Sequence, residues 1–420
     1  MIGTRVNFYG WRVVAAAFIV AAFGWGIGFY GPPVYLDTIV RTRGWSVAIV
    51  SGAVSLHFLI GALVIANLPA LHRRYGLPNV TIFGATLLAL GVLGWGLAET
   101  PRQLFMATLL SGAGWPALGA AAVNAIVSPW FVRKRPSALS TAYNGASIGG
   151  VIFSPLWVTL IAWVGFVQAA VIICGVMFFT IITLAVTVLR KTPESLGQLP
   201  DGETIPEGGV AQPEPIGVAK VTYLSRDAAF ITLSLGMALT LFAQIGLLAH
   251  LVSLLVPSLG VEGAGLAAGL STAAAILGRQ LVGWFMPAHA DRRIIASISL
   301  LVQVLGCICL LSTANDGGFV MIAGVTLMGL GIGNATSLPP LIAQVEFSKL
   351  DTARVVALIV AISQATYAFA PAIFGFVRQS FSEEALYITT IAVQIAAIVA
   401  YMIGHQAYTS RPLLQERTPT

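Results

Sequence analysis

Arg279 sits inside an apolar run, LSTAAAILGRQLVGWFM, residues 270–286. A guanidinium cannot shed its proton in a protein. Inside a hydrocarbon layer such a charge persists only where it faces a cavity or a partner. Eight residues from the inner end of the run, at a rise of about 1.5 Å per residue, puts it about 12 Å deep, beyond the reach of a snorkelling stem. The acidic side chains fall at span ends or in loops: Asp37, Glu99, Glu262, Asp316, Glu383 and Glu384 on one side, Asp227, Asp291, Glu346 and Asp351 on the other. Glu346 comes nearest to depth. A diffusing anion therefore completes the pair, and the two parallel N–H groups of a guanidinium fit a carboxylate. The expected ligand is a small monocarboxylate, with Arg279 as its anchor. The competing expectation is that backbone carbonyls and water satisfy Arg279, which then has a structural role only. One and two helical turns before it lie Ala275, Ser271 and Thr272, a small and mildly polar face.

An arginine holds charge but does not carry protons; a histidine does both near neutral pH. His250, in LLAHLVSLLVP, and His57, in VSLHFLIGAL, lie at depth and are the expected proton relay, with His250 also a substrate contact. The substrate's own carboxylate is a further carrier for the proton. Tyr143 and Asn144, and Gln364 with Tyr367 three residues later on one helix face, are candidates to line the site by hydrogen bonding or to tie helices together. Cys174, Cys307 and Cys309 lie in apolar segments without ligand spacing. Neither a metal nor a cofactor is expected. A nucleophile–base pair and a Gly-rich phosphate loop are missing too, so the chain does not read as an enzyme.

The elements that must position these residues follow from composition. Only 9% of the 420 residues are charged and 57% are hydrophobic, with mean hydropathy +0.88, whereas soluble domains carry roughly 25% charged residues. The reading is an all-α membrane protein. Twelve apolar runs are each long enough to cross a bilayer as a helix: 11–36, 46–68, 78–98, 102–128, 138–162, 167–189, 227–256, 263–287, 293–313, 318–346, 354–378 and 385–405. The first is too long for a signal peptide and no A-x-A-like site closes it. A stretch rich in Pro, Gly and Glu, LPDGETIPEGGVAQPEPIG, reads as a flexible linker. The expected layout is an N-terminal six-helix bundle (1–190), a cytoplasmic linker (191–225) and a C-terminal six-helix bundle with a short tail (226–420).

Of the 22 Lys and Arg residues, only Arg41, Arg43, Arg102 and Arg378 fall in outer loops. Apart from Arg279, the rest fall on the inner side when both termini are cytoplasmic, in line with the positive-inside rule. The net charge of +6 therefore points to the lipid bilayer as partner and not to nucleic acid. The turns HRRYG (72–76) and HADRR (289–293) occupy the same place in each half, as internal repeats of a transporter do. Small-xxx-small patterns at Gly24/Gly28, Gly145/Gly149, Gly265/Gly269 and Gly329/Gly333 predict close helix packing.

WFVRKRPSALSTAYNG (130–145) resembles the signature of the monocarboxylate transporters in Trp130, Phe131, Arg133, Lys134, Arg135, Ala138, Ala142 and Gly145; Ser137, Ser140 and Asn144 depart from it. Tyr9, Gly10 and Trp11 resemble the family's first-helix motif, although Val6 stands at its usual acidic start. The chain is similar to bacterial L-lactate transporters of this family, and its twelve-span plan resembles the wider major facilitator superfamily. The resemblance implies the superfamily fold and an eighth-helix arginine that binds the substrate carboxylate, which Arg279 matches. Ala275 stands where members often have aspartate, and apolar residues near Phe29 stand where they often have lysine. The family's usual proton route is thus altered here, and His250 or the substrate takes its place. The superfamily's acidic loop residue after the second span is also replaced, with Arg73 near its position. The expected function is proton-coupled symport of small monocarboxylates of the L-lactate and pyruvate type by alternating access, across a bacterial cytoplasmic membrane. The rival is a carboxylate exchanger of the oxalate/formate type, which would want a second basic residue in its cavity. A non-transporting receptor or scaffold is disfavoured, since no sizeable soluble domain is present.

Overall fold

A computed structural model describes residues 8–202, 224–287, 290–312 and 318–409. Most of the expected linker, His289 of the second basic turn, Asp316 and the expected tail beyond 409 lie outside the described residues. Within the described residues the chain is all helix and turn, without a strand. Hydrocarbon offers no water to peptide groups, and a helix satisfies them internally. Eleven helical stretches among the described residues are long and apolar enough to cross a membrane. One of them, Ala228–Phe285, has 58 residues, far more than the roughly 20 that one crossing needs. Gly260, at φ 69°, breaks it, so it makes the seventh and eighth crossings and the total is twelve.

Local chemistry sets the helix ends. Ser46 accepts from Ile49 N, Thr100 and Gln103 form a capping box, and Ser348 accepts from Asp351 N, each supplying an acceptor for first-turn amides. Gly76 (φ 80°) and Gly165 (φ 85°) reverse the chain in a single residue between consecutive helices, a conformation in which a Cβ is strained. Beyond Gly28, at the far end of the first crossing, the chain continues as a helix from Gly31 to Arg43. Asp37 and Arg41, expected in an outer loop, are therefore on a helix and bonded at 2.8 Å four residues apart. The loop expectation failed because a charged i,i+4 pair reads as a polar break in hydropathy while it supports a helix.

Two units emerge from backbone contacts: Met1–Glu214 with Leu251–Gly269, and Pro215–His250 with Leu270–Thr420. In the first, the glycine pattern of the fifth crossing does what its spacing predicts. A methyl on Gly145 or Gly149 would collide with the carbonyls of Phe18 and Ala22 on the first crossing. Trp95, Trp157 and Tyr35 fill the interior, with Tyr35 and Trp157 edge to face at 4.9 Å.

The second unit is built around Leu233, Met237, Leu300, Leu338, Val355, Ile359 and Tyr401. Three buried glutamines cross it. Gln303 Oε1 accepts from Gln244 Nε2 at 2.9 Å and from Gln394 Nε2 at 3.3 Å, which joins the seventh, ninth and twelfth crossings. At its basic end, Arg293 and Glu346 form a two-pronged ion pair at 2.6 and 2.8 Å. Arg293, read from the sequence as a loop cation, is 1% exposed.

Candidate substrate site

The eighth and tenth crossings meet backbone to backbone, and this contact places Arg279. A Cβ on Gly329 would strike the Ser271 carbonyl, one on Gly278 the Leu330 carbonyl, and one on Gly333 the Ala275 carbonyl. The GLGIG pattern thus serves as the docking ridge for the face that carries Ser271, Ala275 and Arg279. At Gly333 the tenth crossing changes from the helix Phe319–Ile332 to the helix Asn334–Glu346. Its carbonyl accepts from Arg279 Nε at 3.0 Å and from Ser337 Oγ at 3.2 Å. Arg279 is half-buried. The bond to Gly333 uses one of five guanidinium donors and fixes the plane of the group. The backbone carbonyl weighed in the sequence reading is therefore present, as an orienting contact.

His250 is fully buried, and its Nε2 lies 3.2 Å from the Pro371 carbonyl on the eleventh crossing. A carbonyl only accepts, so Nε2 carries the hydrogen. His57 is also buried. Its Nε2 donates to Gly28 O at 2.9 Å, and its Nδ1 is 2.9 Å from Ser111 Oγ. Ser111 Oγ also accepts from Trp95 Nε1 at 3.1 Å. One imidazole thereby ties the first, second, third and fourth crossings. Tyr143 donates to Ala120 O at 3.0 Å and meets Trp25 edge to face at 6.4 Å; Asn144, beside it, is exposed. Gln364 and Tyr367 lie one helical turn apart on the helix Lys349–Tyr367, both half-buried.

His57, Tyr143 and Asn144 belong to the first unit; Arg279, His250, Gln364 and Tyr367 belong to the second. Within the second unit, Arg279 is joined to the tenth crossing and His250 to the eleventh. The sequence reading missed the carboxylate of Asp201, which it left in the linker. Asp201 accepts from the backbone amides of Val132, Arg133 and Lys134 at 3.1, 2.7 and 3.1 Å, just before the helix that begins at Arg135. The dipeptide PD in a Gly-flanked run was the available signal.

The Major Facilitator Superfamily profile matches residues 14–371. The chain belongs to the Major Facilitator Superfamily. It is a multi-pass membrane transporter of that superfamily and not an enzyme. It is 27% identical over 355 residues to MFS-type transporter 1 of Ophiocordyceps sp. (strain BCC 1869), covering 81% of this chain and 72% of that one. It is 30% identical over 162 residues to monocarboxylate transporter 13 of Bos taurus, 37% of each chain. To monocarboxylate transporter 11 of Homo sapiens it is 25% identical over 349 residues, 79% of this chain and 69% of the relative. Among solved structures, a bacterial homologue of the human lysosomal transporter Spinster, inward-facing and unoccupied, superposes with TM-score 0.70 at 15% identity over 96% of this chain and 98% of that one. The nucleoside transporter NupG superposes with TM-score 0.70 at 11% identity over 94% and 99%. At those identities the two structures establish the fold alone.

Proposed function

We propose that this transporter moves small monocarboxylates of the L-lactate and pyruvate type together with a proton, by alternating access. Arg279 anchors the carboxylate. The observation that carries the reading is the oriented guanidinium, half-buried in an apolar helix and held in plane by the Gly333 carbonyl. A preset plane lowers the entropy lost when a carboxylate takes two parallel N–H bonds. Two relatives named monocarboxylate transporters support the substrate class. His250 takes the proton. With Nε2–H committed to Pro371, protonation falls on Nδ1 and leaves the helix tie intact. His57, used on both ring nitrogens, holds helices. Gln364 and Tyr367 supply polar groups within the second unit and Tyr143 and Asn144 within the first, and the basic loops face the cytoplasm of the cell that houses it.

Uptake of labelled L-lactate into proteoliposomes tests the reading. An inward proton gradient accelerates uptake, Arg279→Ala abolishes it, and Arg279→Lys, which lacks the planar fork, recovers only a small part. Wild-type uptake in Arg279→Ala refutes the anchor. His250→Gln keeps a hydrogen-bond donor toward Pro371 but has no proton to give, so it flattens the pH profile; an unchanged profile refutes the relay.

A further inference from the structure

At the basic end of the first unit a cavity of about 530 Å³ opens where the third crossing begins and the sixth ends, within the roughly 300–1,000 Å³ of ordinary ligand pockets. Leu77, Ile126 and Trp130 are among its apolar lining residues, and Arg190, Lys191 and Asn79 among its polar ones. No acidic side chain is among its described lining residues. Lys191 rests over the Tyr9 ring at 4.8 Å, an aromatic face that holds its ammonium at the edge of the cavity. The helix Leu77–Leu97 of the third crossing follows Gly76 without a side-chain cap, so its first-turn amides add the positive end of a helix dipole to the same wall.

Arg190 directly follows the apolar stretch Phe166–Leu189, and Leu77 opens the stretch Leu77–Leu97. Both mark the level at which hydrocarbon gives way to headgroups. Phe83 and Val186, on the same two helices, are exposed and suited to acyl chains. A soluble anion gains nothing from an apolar lining, whereas an amphiphile uses both parts. We propose that this cavity binds an anionic phospholipid, its phosphate at Arg190, Lys191 and the amides of Leu77 and Asn79, its glycerol and first methylenes over Leu77, Ile126 and Trp130. The proposal is independent of the monocarboxylate reading.

The test is thermal unfolding of the full-length, delipidated protein in detergent, titrated with phosphatidylglycerol, with phosphatidylcholine, or with soluble glycerol-1-phosphate. A ligand that prefers the folded state raises the midpoint in proportion to its affinity. Phosphatidylglycerol stabilises at lower concentration than phosphatidylcholine, and glycerol-1-phosphate does little. Arg190→Gln weakens the phosphatidylglycerol effect about fivefold, the loss of one cation near an anionic headgroup, and Arg190→Glu weakens it further. Arg73→Glu, a charge reversal at the exposed C-terminal end of the helix Val47–Tyr75 and outside the cavity lining, leaves it nearly unchanged. Midpoints in phosphatidylcholine confirm that each variant folds, and Arg190→Gln serves where the reversal does not. Equal response to both lipids, equal loss in Arg73→Glu, or full stabilisation by glycerol-1-phosphate each overturns the assignment, the last in favour of a soluble phosphate ester.

Discussion

Replacing Glu346 by Gln removes one charge from the ion pair with Arg293 and little else. Glu346 is bound to Arg293 through both oxygens at 2.6 and 2.8 Å. The partners are 1% and 6% exposed, and Arg293 also donates to Thr232 Oγ1 at 3.1 Å and Ala229 O at 2.9 Å. These bonds hold the guanidinium in place, so Glu346→Gln leaves a buried cation with neutral acceptors only. Breaking a buried pair from one side costs about 3–5 kcal/mol. The amide oxygen of Gln can still accept one bond, which places this variant near the lower bound, and Glu346→Ala near the upper. For a unit of about 150–250 residues each kcal/mol moves the melting midpoint by about 2–4 °C, so the expected drop is about 6–20 °C. Arg293→Met combined with Glu346→Leu removes both charges and restores most of that loss, since the desolvation cost disappears along with the attraction. The assay is thermal unfolding of purified protein in one detergent. A Glu346→Gln midpoint within about 2 °C of wild type, or a double variant no more stable than the single, would refute the reasoning.

Three further outcomes follow from the same kind of geometry. Burial pushes the Asp201 carboxyl up, but the amides of Arg133, Lys134 and Val132 and the charge of Arg133 outweigh it and hold the group below the ordinary carboxylate range. Its contribution is therefore complete above the unfolded value of about 3.9 and fades as pH falls through the lower folded value; Asp201→Asn exposes the Arg133–Arg135 segment to trypsin at pH 8, where the wild type resists. Gln303→Leu strands two buried amide donors, at about 1–3 kcal/mol each, and lowers the midpoint more than the closer-shaped Gln303→Glu does at acid pH, where the protonated carboxyl still accepts both bonds through its carbonyl oxygen. Gly333→Ala drives a methyl into the Ala275 carbonyl and against Arg279 Cβ at 3.2 Å, an overpacking of about 1–3 kcal/mol; it raises the KM for lactate uptake while the protein still reaches the membrane.

Most of what depends on near neighbours along the chain was legible in the residues themselves. A run of about 20 apolar residues must become a helix because hydrocarbon leaves its peptide groups no other partner, and this sufficed for the twelve crossings, while the superfamily was read from the resemblance of residues 130–145 and of the twelve-span plan. The same logic singled out Arg279, because one charge in an apolar run is conspicuous without coordinates. It failed at Asp37 and Arg41, where a helical ion pair looked like a loop. Pairings across long stretches of sequence were decided only by the tertiary structure. Arg293 finds Glu346 across 53 residues, Asp201 finds the Val132 amide across 69, and Arg279 finds the Gly333 carbonyl across 54. Hydropathy says that a polar group is costly in a bilayer but not which partner meets it. That choice belongs to helix packing, set here by where glycine lets two backbones touch, and only the folded chain contains it.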